Sequence, residues 1–168
     1  MLLSLLDLQK SLADINNNYT ITRIDIFGGE VSLLDDKYLF ELKNICEKYT
    51  THISVTTNLS RDISHIFNHI SISLNEERDD FKSILSKLPL LSYDFSLSVV
   101  ILPSIVKLFK SGKIRNMLSL IPTNCKSANL IKYSPSIASN CNIIVNDDDY
   151  EYVIFEAYKL YKSDILNF

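Results

Sequence analysis

Three short runs alternate apolar and small polar side chains one residue at a time: HISVTTN at 52–58, HISISLN at 69–75 and FSLSVVI at 95–101. Successive side chains of a strand point to opposite faces. Ile53 and Val55, then Ile70, Ile72 and Leu74, then Phe95, Leu97, Val99 and Ile101 therefore form apolar faces. Ser54 and Thr56, Ser71, Ser73 and Asn75, and Ser96, Ser98 and Val100 lie opposite them. A parallel sheet covered by helices on both sides would read as near-continuous apolar runs instead. Helical cover on one face is expected. The Ser/Thr face is then either the concave inside of an open or partial barrel or the wet face of an ordinary sheet.

Helix-like stretches separate these runs. Strands are expected at 22–27, 52–56, 70–74, 95–101 and 117–121, and helices at 3–15, 35–49, 62–68, 78–87, 103–111 and 148–161. Repeated strand–helix units imply an α/β fold with a mostly parallel sheet. The alternation favours curling, so the expected form is a partial (βα) barrel of about five or six parallel strands. With short linkers, residues 1–168 are expected to make a single domain. The stretch 124–146 is polar and irregular and suggests no element.

A net charge of −3 with scattered basic residues argues against a nucleic-acid surface. The opening MLLSLLDLQKSLADI lacks a basic start, and Asp7 interrupts its apolar run, so it does not read as a signal peptide. Leu5, Leu8, Leu12 and Ile15 repeat at helical spacing instead. No stretch is long and apolar enough for a bilayer span, and a cytoplasmic location is expected. Cys46, Cys125 and Cys141 are far apart with no CxxC pairing, so no metal ligand is assigned. Cys46 shares a helical stripe with Leu39 and Leu42 and reads as a small buried hydrophobe.

The chemistry gathers at IDIFGGEVSLL, 24–34, which holds two of the chain's three glycines. Adjacent glycines allow a sharp turn and close approach to the main chain. They fall at the carboxyl end of an expected strand, where βα folds bind ligands. The sequence has neither the dinucleotide fingerprint nor a P-loop lysine. Glu30 would repel a phosphate, whereas a carboxylate suits an ammonium group. The alternative is a plain turn with a solvated Glu30. His65 and His69 have the four-residue spacing of helical metal ligands. However, His52 and His69 precede strands, at the end opposite Glu30, so a shared site is not expected. The run Asp147–Asp149 could take a cation, but acids also favour helix starts.

The segments IDIFGGEVSLLDDKYLFELKNICEKYTTHISVTTNLS (24–60) and HISISLNEERDDF (69–81) resemble the centre of radical S-adenosylmethionine (radical SAM) enzymes. The resemblance is strongest over 21–82 and extends to about residue 121. It implies that Gly28, Gly29 and Glu30 hold the amino group of S-adenosylmethionine. By the same resemblance Thr57 and Asn58 lie near that cofactor, and Ser73 and Asn75 approach its ribose. Val31 stands where the family usually has proline. The family also implies a [4Fe–4S] cluster held by CxxxCxxC on a loop after the first strand, and no such motif is present. The expectation is a truncated or split form of an enzyme that cleaves S-adenosylmethionine. It would not be catalytically competent alone and could pair with an upstream fragment that supplies the first strand and cluster loop. No catalytic residue and no substrate is assigned. The alternatives are a non-catalytic binding or scaffold remnant of the same fold, or an unrelated βα protein that binds an amine.

Overall fold

The computed structural model describes residues 3–75, 80–132 and 144–162. Five strands, β1 (Ile24–Ile26), β2 (Ile53–Thr57), β3 (His69–Leu74), β4 (Phe95–Ile101) and β5 (Cys125–Lys132), make one sheet in the order β1-β2-β3-β4-β5. The chain is α/β, and the pairs β1–β2 and β4–β5 are parallel. Parallel neighbours need a crossover between them. Helix α2 (Asp36–Glu47) provides the first, and α4 (Pro103–Lys110) with α5 (Ile114–Leu118) the last. Helices α1 (Leu5–Asn18), α3 (Phe81–Lys87) and α6 (Asp147–Lys162) and two 3-10 turns, Val31–Leu33 and Leu88–Leu90, are the other described elements. Among the described residues no helix is long and apolar enough to cross a membrane. The contacts gather into two compact units, Met1–Ser71 and Ile72–Phe168.

In the first unit both helices start on side-chain caps, which satisfy otherwise orphaned amides. Ser4 accepts the Asp7 N–H at 3.3 Å, and Asp35 accepts the Tyr38 N–H at 2.8 Å. Helix α2 buries Leu39, Leu42 and Cys46, one turn apart, so Cys46 is the buried hydrophobe its spacing predicts. Strand β2 buries Ile53, Val55 and Thr57 and leaves Ser54 and Thr56 half-buried, as its alternation requires.

The helix expected at 62–68 is not formed. Asp62 accepts the Ser64 N–H through its side chain at 2.8 Å, offering the backbone a turn in place of a helix. A single turn remains, in which Ile63 O accepts from both Ile66 N and Phe67 N. Ile63, Ile66 and Phe67 are fully buried by that turn. Their i, i+3, i+4 spacing imitates a longer helix but needs only one turn.

In the second unit α3 is described from Phe81, and 78–79 lie outside the described residues. Strand β4 matches its expected bounds. The strand expected at 117–121 is instead the end of α5 and the turn after it, closed by Leu120 N to Met117 O and Ile121 N to Leu118 O. A five-residue apolar run cannot separate strand from helix by pattern alone. The fifth strand is Cys125–Lys132, inside the stretch that looked irregular. Only Cys125 on it is buried, so it carries little apolar alternation. Its register sets Leu97 beside Ala128 and Val99 beside Leu130. The core of this unit joins Ile101 to Ile105, Val106 and Phe109 of α4, Ile114 of α5 and Val153 of α6. The acidic run opens α6. Asn146 caps Asp149 N at 2.7 Å, Lys110 pairs with Asp149 at 2.5 Å, and Lys132 pairs with Asp147.

Asn124 fixes where β5 begins. Its Nδ2 donates to Leu91 O at 2.9 Å and Tyr93 O at 2.7 Å, and its own carbonyl accepts Phe95 N–H at 3.1 Å. Asn124→Ala removes the donor from two part-buried carbonyls and is expected to cost about 1–3 kcal/mol in urea unfolding. Asn124→Asp is expected to cost more, because it sets a carboxylate against both carbonyl oxygens. Equal stability of the Asp variant and wild type would remove this clamp from the account.

Candidate functional site

Past Ile26 the chain turns through Gly28 and Gly29 at φ of 104° and 58°. A Cβ at either position would meet nothing within 4 Å. Glycine is therefore required there by backbone conformation rather than by crowding. The open space also leaves the main chain accessible.

Glu30 follows and caps a short 3-10 turn, Val31–Leu33. Its Oε1 accepts from Ser32 N at 3.0 Å, from Ser32 Oγ at 2.5 Å and from Thr57 Oγ1 at 2.5 Å. Its Oε2 accepts from Asn58 N at 2.8 Å. Thr57 is the last residue of β2. One carboxylate thus joins the carboxyl ends of β1 and β2. Partial burial pushes the Glu30 carboxyl up, but the bonds from Ser32, Thr57 and Asn58 outweigh it and hold it below its ordinary 4.5. At neutral pH it is an anion held by neutral donors.

Both flanks are braced. Thr57 Oγ1 also accepts Leu59 N–H at 3.0 Å. Leu59 is buried and adopts φ of 60°, a left-handed conformation unfavourable for a residue with a Cβ. Asn58 Oδ1 accepts from Ser60 N at 3.1 Å and Ser60 Oγ at 2.7 Å. On the other side, fully buried Ser32 accepts Arg61 N–H through its hydroxyl at 3.2 Å. The Arg61 guanidinium donates to Ser32 O at 3.1 Å and Leu34 O at 2.6 Å and pairs with Asp36. His65 Nε2 lies 2.9 Å from the other Asp36 oxygen. The guanidinium of Arg61, then His65, hold the Asp36 carboxyl below the usual carboxylate range.

Gly28, Gly29, Glu30, Thr57 and Asn58 are therefore brought together at one end of the first unit. Ser73 is half-buried on β3 and Asn75 is half-buried just past its carboxyl end, both in the second unit. His65 is not on a helix and His69 opens β3, so the spacing expected of helical metal ligands is lost. Among the described residues no group of three His, Cys, Asp or Glu side chains could hold a metal ion. Burial, then the Glu47 charge, raise the Cys46 thiol, and burial raises that of Cys125 to about 11. Cys141 lies outside the described residues. The sequence reading missed Ser32, Arg61 and Asp36. Ser32 carried a local signal, a hydroxyl two residues after a turn carboxylate, whereas Arg61 reaches back across the chain with none. Compared with protein-family models and with curated proteins, the chain matches none.

Thr57→Val keeps shape but takes a donor from Glu30 and the acceptor from Leu59 N–H. A loss of about 1–3 kcal/mol is expected in urea unfolding, with Thr57→Ser close to wild type. The pH dependence has a definite sign. A carboxyl lowered in the folded state adds stability above its unfolded value that is lost as pH falls through the folded one. Stability is expected to decline as pH drops below the ordinary 4.5 of Glu30. Glu30→Gln is expected to flatten part of that decline, measured as urea midpoint against pH.

Proposed function

We propose that the chain is a radical-SAM-like domain whose Glu30 takes the amino group of S-adenosylmethionine, and that alone it binds this molecule without cleaving it. The observation that carries this reading is the uneven loading of the carboxylate. Oε1 has three donors and is saturated, while among the described residues Oε2 has one, from Asn58 N. A carboxylate oxygen accepts about two donors, so Oε2 has room for one N–H. An ammonium there makes a charge-assisted bond worth about 1.5–3 kcal/mol. Gly28 and Gly29, with open space where a Cβ would stand, immediately precede Glu30 in the chain. For the finer fold we propose a partial (βα) barrel with Ser54 and Thr56 on its inner face, supported by the alternating burial of β2.

The residues present do not fit a [4Fe–4S] cluster. The sequence has no CxxxCxxC, and Cys46 and Cys125 are buried thiols whose thiolate form is disfavoured. Reductive cleavage on this reading requires a partner segment that brings the cysteines. Without it, the amine contact must offset an association cost of at least about 4 kcal/mol. The affinity expected is therefore weak, on the order of high micromolar to millimolar.

One observation favours a second reading: Glu30 is tied to its own chain by every bond described, as a purely structural staple would be. That reading covers a non-catalytic remnant of the same fold, whereas an unrelated βα protein taking another amine would keep the Glu30 contact. Calorimetric or NMR titration with S-adenosylmethionine separates them. Wild type is expected to bind weakly, Glu30→Gln about tenfold more weakly, since it keeps the shape and removes the charge. Thr57→Val is expected to keep most of the affinity despite its lower stability. No binding at millimolar ligand, or an unchanged Kd for Glu30→Gln, would overturn the proposal. Methionine alone binding as tightly would point to a general amine site.

A further inference from the structure

The second unit holds a partly open apolar cavity of about 270 Å³ that the Glu30 site does not use. Its floor is the apolar face of the sheet, where Leu97 pairs with Ala128 and Val99 with Leu130. Small Ala128 on β5 and Ala157 on α6 leave space that larger side chains would fill. Helices α4, α5 and α6 supply the walls. Every lining side chain is apolar except that of Tyr158. Two of the lining residues, Ile154 and Tyr158, are 38% and 52% exposed, so the cavity is reachable from solvent.

Voids much larger than a water molecule are few in a close-packed interior. An apolar void does not fill with water, because a water there lacks the two to four polar partners it needs. An apolar cavity of about 150 Å³ stays dry and takes up benzene. The present one is nearly twice that size, which suits two fused rings rather than one. We infer that it is a binding site for a small, uncharged, apolar molecule of the size of a bicyclic aromatic. Apart from Tyr158 the lining side chains offer no hydrogen-bonding group, so a sugar, a nucleotide or an amino acid would lose most of its hydrogen bonds to water without replacement. This inference does not depend on S-adenosylmethionine binding at Glu30.

The test uses the full chain with methyl-labelled Ile, Leu, Val and Met, titrated with indole, benzene and purine. Indole is expected to shift the methyls of Leu97, Val99 and Leu130 saturably and to raise Tm. Benzene is expected to bind at least about fivefold more weakly, because it fills less of the space. Purine, of similar size but rich in hydrogen-bonding groups, is expected to leave those methyls unmoved. Ala128→Leu fills the cavity from the sheet and Ala157→Leu fills it from α6. Either, if folded, is expected to match or exceed the wild-type Tm and to weaken indole at least tenfold. Absent or non-saturating shifts with wild type, equal shifts from purine, or undiminished indole binding in both folded variants would overturn the inference.

Discussion

The first unit depends on one anion accepting hydrogen bonds from two chain segments at once. Strand β1 is only three residues long, and its register with β2 runs from Ile24 to Ile26. So short a ladder supplies few bonds, and it stops just where the chain must reverse. Glu30 adds its own bonds at that point, from Ser32, Thr57 and Asn58. Each donor faces a charged acceptor, which makes such bonds stronger than neutral ones. Ser32 hands the constraint on to Arg61, and Arg61 to Asp36, the first residue of α2. The entry to α2 and the segment after β2 are thereby set by the same carboxylate.

That constraint holds backbone that would not choose its conformation. Gly28 and Gly29 reach positive φ at no steric penalty, but Leu59 does not. Leu59 is held by the bond of its N–H to Thr57 Oγ1 and by burial of its side chain. Thr57 therefore works in two directions, donating to Glu30 and accepting from Leu59. Strain of this kind persists only where the surroundings over-determine it, and it gathers at functional sites. Here the over-determination is explicit, because each strained residue lies within two positions of a Glu30 ligand or of Glu30 itself.

What the sequence made legible follows from how local each signal is. Strands β2, β3 and β4 were readable because their side-chain chemistry alternates with the pleat, although only β2 buries one side alone: Ser71 on β3 and Ser98 on β4 are buried too. Strand β5 was not, since its Lys126, Ser127 and Asn129 carry no such pattern. Residues 62–68 misled because three buried side chains at helical spacing need only one turn, and Asp62 diverts the backbone before a second can form. Glu30 could be placed from its position after a strand-like run, whereas Thr57 and Asn58 were named through the resemblance. Arg61 could not, because its partners Ser32, Leu34 and Asp36 are more than twenty residues away in sequence and meet it only in the folded unit.

The charge balance around Glu30 bears on what it can attract. A buried or half-buried anion usually has a cation beside it, and Arg61 is the nearest candidate in the hydrogen-bond chain. Yet the guanidinium is already committed to Ser32 O, Leu34 O and the Asp36 carboxylate. Its five N–H groups lie in one rigid plane, so they cannot turn to Glu30 without leaving those acceptors. Glu30 is thus stabilised as an anion by dipoles while its neighbouring cation is spent on Asp36. Dipoles keep a carboxylate ionised but do not cancel its charge, so Glu30 stays a negative charge at the turn. An approaching phosphate meets repulsion there and an ammonium meets attraction. The glycines keep the adjoining main chain bare, and among the described residues the second oxygen accepts one donor. On the proposed reading, an amine is the ligand whose charge and hydrogen-bonding capacity would suit this carboxylate.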